Sequence, residues 1–255
     1  MGLRRGIISP HKSLRHLAFR PASLLSGIAV ACLVDFFLLW KGANILAWHS
    51  RIVETLLGLA QVPWEHGRTL ALLPGVSVDL LQTSFLNTRE FPLYPWYCLA
   101  ATGALFLLGY RRWPAPLKPL LALVPISVAM ALFYSSVVSP LGPYTPEDFG
   151  ALWYHGETYL WLLLPWIFTV GIFPLRVPPW LKLGALGLLL FYSFLWSAIR
   201  LAMGLATFYY FGSLWMPFFY FAFGFLADFL YIVAVYSLVV DRAAAWLAGR
   251  EEVWE

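Results

Sequence analysis

Few residues in this chain are of a type that does chemistry, and most of those lie where charge is costly. Arg200 sits at the centre of LWSAIRLAMG (195–204), a stretch with no other ionisable side chain. Asp35 and Asp228 lie in two further apolar runs. One cation and two carboxylates in apolar surroundings suit an anion site, a proton path or a helix-locking ion pair. A second set is Cys98 in YPWYCLAATG with His155 and Glu157 in WYHGET. A thiol whose proton a nearby base removes is a nucleophile, so Cys98 and His155, with Arg200 beside them, are candidates for a thiol enzyme. Against that stands the common role of cysteine as a small, inert packing residue. Thr83 and Ser84, in LLQTSFLN, are hydroxyl candidates in a long connecting segment.

Other chemistries find no pattern. There is no Gly-x-Ser-x-Gly, no His-Glu-x-x-His and no phosphate-binding loop. The two cysteines, Cys32 and Cys98, both lie in apolar runs, and the five histidines are scattered. The sequence therefore offers no disulfide framework, no metal site and no cofactor-binding motif. It gives no ground for a nucleic-acid partner.

These residues must be positioned by elements suited to an apolar solvent. Of the 255 residues 61% are hydrophobic and only 12% charged, about half the charge of an ordinary soluble domain. Six segments approach the roughly 20 apolar residues that cross a bilayer: 22–48, 94–110, 119–140, 158–175, 183–211 and 217–240. The expected fold is an all-α polytopic membrane protein of about six transmembrane helices. A basic tail over 1–21 and a tail over 241–255 flank a membrane domain over 22–240. The first run is too long for a signal-peptide core and reads as a retained anchor.

Orientation follows from lysine and arginine. Arg4, Arg5, Lys12, Arg15, Arg20, Arg111, Arg112, Lys118, Arg176, Lys182, Arg242 and Arg250 fall on one side, against Arg51, Arg68 and Arg89 on the other. Both termini are then cytoplasmic in a multi-pass inner-membrane protein whose main partner is the lipid bilayer. Trp113, Trp180 and Trp246 fall at the inner interface, and Trp48, Trp96, Trp153 and Trp215 at the outer one. Counted from the outer span ends at 1.5 Å per residue, Asp35, Arg200 and Asp228 lie roughly 16–20 Å deep. Spans five and six are joined by a short turn and are antiparallel neighbours. Asp228 is thus the first partner for Arg200, with Asp35 the second.

The longest outer segment, 49–93, is too apolar for a slack loop. RIVETLLGLAQV places Ile52, Val53, Leu56, Leu57 and Ala60 on one helical face, which predicts an interfacial helix. TLALLPGVSVDL alternates about Pro74-Gly75 and predicts a short extended pair. YTPEDFGALWYHGE reads as a short acidic outer loop.

The run TLLGLAQVPWEHGRTLALLPGVSVDLL resembles the stretch that precedes the catalytic cysteine of exosortases and archaeosortases. Ser197-Ala-Ile-Arg200 resembles that family's Asn-x-x-Arg motif in a late span. The resemblance implies a polytopic membrane protein linked to envelope protein sorting. The departures from it are specific. LLQTSFLN holds Thr83 and Ser84 where the family has its thiol, Ser197 replaces the asparagine, and no histidine follows Arg200. The pattern therefore implies a non-catalytic relative or an accessory or assembly component of an exosortase-like sorting or export system. Its partners would be another membrane protein or an exported substrate. Two alternatives remain open from the residues: a membrane-embedded cysteine transpeptidase or protease using Cys98 and His155, and a transporter or permease subunit with Arg200 in its substrate path.

Overall fold

Uninterrupted apolar sequence has one economical way to satisfy its backbone without water, which is to bond it within each segment as helix. The computed structural model describes residues 21–84, 93–115, 117–133, 145–175 and 177–248. Residues 1–20, with Arg4, Arg5, Lys12, Arg15 and Arg20, and residues 249–255, with Arg250, lie outside the described residues, as do Arg89 and Arg176.

Helix α1 (Pro21–Leu59) leads into a hairpin of β1 (Glu65–Leu73) and β2 (Val76–Gln82). Then follow α2 (Tyr94–Gly109), α3 (Leu117–Phe133), α4 (Pro146–Ile172) and α5 (Pro179–Phe211). A 3₁₀ turn at Ser213–Trp215 leads to α6 (Met216–Phe218), a π-helical segment (Phe219–Leu226) and α7 (Ala227–Ala248), which run on without a break. Two of these helices, α1 and α5, are long and apolar enough to cross a membrane, while α2 and α3 are shorter apolar helices.

Two expectations are revised here. Residues 52–60 are helical but form no separate interfacial helix, because α1 continues through them for 39 residues, about 58 Å at 1.5 Å per residue. Nothing in HSRIVETL stops a helix, since it contains neither Pro nor Gly. Nor is YTPEDFGALWYHGE a loop beyond Thr145, because α4 starts at Pro146. Thr145 caps that start. Its hydroxyl accepts from the Asp148 backbone N–H at 3.1 Å. The Asp148 carboxylate accepts in return from the Thr145 hydroxyl at 2.7 Å and its N–H at 3.2 Å. This is a reciprocal capping box with proline at the first helical position.

The extended pair is present. β1 and β2 are antiparallel, with Leu73 opposite Val76 and Glu65 opposite Gln82, and the ladder is irregular between His66 and Thr69. Gly75 has φ +78°, a value that favours glycine and that a Pro-Gly type II turn requires.

The chain divides into two compact units. In the first, which holds Trp161–Phe191 with the chain up to Leu38 and from Tyr231, Gly27 of α1 lies against α4. A Cβ there would fall 2.7 Å from the side chains of Thr169 and Phe173. The Thr169 hydroxyl donates to the Gly27 carbonyl at 3.0 Å. Buried Lys182 donates to the Phe173 carbonyl just past the end of α4, where a cation suits the exposed carbonyls of a helix end.

The second unit holds Leu39–Leu160 and Tyr192–Leu230. Here Val76 of the hairpin faces Gly42 of α1, and the Arg68 N–H donates to Glu147 at 3.0 Å. Val128 and Ala131 of α3 pack with Leu214, and Tyr94, Cys98 and Leu99 of α2 close over them. Large apolar side chains are exposed on helices of both units, among them Leu33, Leu108, Val170 and Phe191. So dense an apolar exterior is far from that of a soluble monomer.

Candidate functional site: a buried arginine cluster

The centre of the second unit is built on two helical stripes. On α4, Phe149, Trp153, Glu157 and, at its edge, Leu160 recur at spacings of four and three. The first three are buried. On α5, Ser193, Ser197, Arg200, Gly204 and Phe208 recur in the same way, and the four with side chains are likewise fully buried. Positions three and four apart share one helix face, so each helix turns a mixed polar and aromatic stripe inward. Gly204 allows the close approach. A Cβ there would lie 2.7 Å from the Phe149 ring.

Arg200 is 0% exposed and among the largest fully buried side chains of the described chain. Its Nη2 donates to Glu157 Oε1 at 2.7 Å and lies 2.6 Å from Asp228 Oδ1. Its Nη1 donates to the carbonyl of Gly224 at 3.0 Å and to that of Phe223. The guanidinium thus turns one nitrogen to two carboxylates and the other to two backbone carbonyls. Those carbonyls belong to the π-helical segment, whose wider turn departs from the α-helical hydrogen-bond register. Trp153 and Trp196 flank the cation, with ring centroids 5.1 and 6.0 Å from Cζ, within the range of cation–π attraction.

Behind Trp153 the polar track continues. Its indole N–H donates to Ser197 Oγ at 3.2 Å, and Ser197 Oγ lies 3.3 Å from His49 Nε2 of α1. His49 is 0% exposed and meets the edges of Tyr154 and Phe194. The Tyr154 hydroxyl pairs with Ser50 at 3.1 Å. A serine within reach of an imidazole is a nucleophile–base geometry. With both groups fully buried, it has no opening for a substrate.

The sequence candidates fall into separate surroundings. Arg200 and Asp228 are in contact. Asp35 is not part of this set. It belongs to the first unit, where the Trp166 indole donates to Oδ2 at 2.6 Å. Glu157, expected in an outer loop beside His155, is 5% exposed and pairs with Arg200, because α4 begins eleven residues before it. Trp153, expected in an interfacial belt, is 3% exposed. His155 is only partly buried, two residues from Glu157 and so on the far side of the helix. Its Nδ1 bonds the Ala151 carbonyl at 2.9 Å. Cys98 packs on the Val128–Ala131–Leu214 cluster instead. Thr83 is buried and donates to the Ser84 carbonyl at 2.8 Å, while Ser84 is exposed.

Sequence reasoning missed His49, Trp153 and the inward role of Glu157. The signal for the last two was present. Phe149, Trp153 and Glu157 extend the i, i+4 stripe of Trp161 and Leu164 upstream, and Thr-Pro-Glu-Asp at 145–148 is a helix-start signature. The π-helical segment has no such signature in FYFAFGFL. No protein-family model, curated protein or solved structure matches the chain.

Proposed function

We propose that this chain is a multi-pass inner-membrane protein that acts as a non-catalytic accessory or assembly component of an exosortase-like envelope sorting or export system, with the Arg200 cluster as its architectural pin. The observation that carries this reading is the complete burial of an arginine whose two terminal nitrogens are both taken up by protein acceptors. A cation in a substrate path or an active site needs a face open to its ligand, and this one has none. The exposed apolar side chains on the helices support a lipid surround. The sorting link rests on the resemblance of TLLGLAQVPWEHGRTLALLPGVSVDLL and Ser197-Ala-Ile-Arg200, and the non-catalytic role on the missing thiol in LLQTSFLN. The separate surroundings of Cys98 and His155 count against a thiol enzyme.

The test is complementation of a deletion strain, with the amount and processing of envelope proteins as the readout. The Cys98→Ala, His155→Ala double variant should restore the wild-type pattern. Loss of processing in that variant, at normal membrane levels, would replace this reading with catalysis.

A further inference from the structure

We propose that α1 is a docking seam for a transmembrane helix of a partner protein, and that Asp35 is its recognition point for a lysine or arginine at matching depth. The inference rests on the membrane reading above and adds a partner of stated chemistry to it.

Three observations meet on this helix. First, only 11% of the most apolar window of α1 is buried, against 44% for α5. Second, Leu25, Ile28, Cys32 and Asp35 recur at spacings of three, four and three, which sets them along one face. Leu25 is 68% exposed, Ile28 37%, and Cys32 is exposed. The small Cys32 lets a neighbouring backbone approach closely, as small residues do between membrane helices. Third, Asp35 sits fourteen residues into α1, about 21 Å from its start, and is partly exposed. Its Oδ2 accepts from the neutral Trp166 indole, while Oδ1 is buried and has no hydrogen-bond partner, so the Oδ2 edge is where a partner's cation would meet the carboxylate. Among the described residues no cation pairs with it.

A carboxylate inside the apolar part of a bilayer is costly unless a cation balances its charge. A complementary charge on a partner helix meets that need. A second copy of this chain does not supply it through α1. A two-fold α1–α1 contact sets Asp35 against Asp35, and Lys41 lies six residues further along, about 9 Å away in depth. Lys182 and Arg200 are buried and engaged.

The experiment uses the full chain, donor-labelled and reconstituted in phosphatidylcholine–phosphatidylglycerol vesicles. It is mixed with acceptor-labelled synthetic Leu/Ala helices of about 20 residues carrying a central Lys, Met or Glu. The Lys helix should associate about tenfold more tightly than the Met helix. Asp35→Asn should abolish the difference, and Asp35→Lys should transfer the preference to the Glu helix. Equal association of the Lys and Met helices with a carbonate-resistant, folded chain would overturn the seam and leave the membrane reading intact. Extraction of the chain by carbonate would overturn both. Asp35-dependent self-association without added helix would replace the partner with a second copy and overturn the proposal as stated.

Discussion

Glu157 Oε1 and Arg200 Nη2 lie 2.7 Å apart across forty-three residues of sequence, and that bond ties α4 to α5 at the point where Asp228 and the carbonyls of Phe223 and Gly224 also converge. Three stretches of chain are thereby held by one side chain. Removing the cation from such a set leaves the carboxylates buried and uncompensated, whereas removing all three charges leaves a largely apolar core.

Glu157→Leu alone should therefore be tolerated better than Arg200→Leu alone. With Glu157 gone, Asp228 still balances the arginine one for one. With Arg200 gone, two carboxylates face each other without a cation. The difference should appear in melting temperatures of the purified chain in detergent, with Arg200→Leu losing about 3–5 kcal/mol.

Gly204 sets the distance between the two stripes. Gly204→Ala puts a Cβ within 2.8 Å of two Phe149 ring atoms, and overpacking of this kind costs about 1–3 kcal/mol. Phe149→Leu should rescue the loss in part, since it removes the ring that is struck. Additive losses in the double variant would show that the two sites are not in contact.

Asp228 was legible because GSLWMP is too short to let α5 and the next helix be anything but antiparallel neighbours, and because both charges interrupt apolar runs. Glu157 was lost because acidic Glu147 and Asp148 made the start of α4 look like a solvated loop, although acidic residues belong in a first turn. Trp153 misled for a related reason, since tryptophan suits both an interfacial belt and a cation's flank. The Pro74-Gly75 turn was plain, because its backbone geometry leaves few residue choices. The π-helical segment has no local pattern in FYFAFGFL to announce it. Depth alone brings Asp35 to the level of Arg200, and depth does not say which face of a helix a residue occupies.

Lys182→Met should destabilise the first unit by about 1–3 kcal/mol, because it leaves the Phe173 carbonyl without its buried donor. Lys182→Arg keeps the charge but changes the shape and should recover only part of that. Hydrogen exchange at the C-terminal turn of α4 would localise the effect. Uniform protection in the methionine variant would argue against a capping role.

At the hairpin, Gly75→Val places a β-branched residue at φ +78° and should cost about 1–2 kcal/mol. The cost should fall on the hairpin and its Val76 contact with Gly42. The Asn variant, which tolerates positive φ, should be nearly neutral in the same melts.

The most direct measurement compares Arg200→Leu with the triple variant Arg200→Leu, Glu157→Leu, Asp228→Leu, each assayed for thermal stability in detergent and for complementation of the deletion strain. An architectural pin predicts that the triple variant recovers most of the stability lost by the single one and restores envelope protein processing with it. A triple variant that folds as stably as the wild type yet restores nothing would contradict that account, and would make the cluster part of the protein's chemistry.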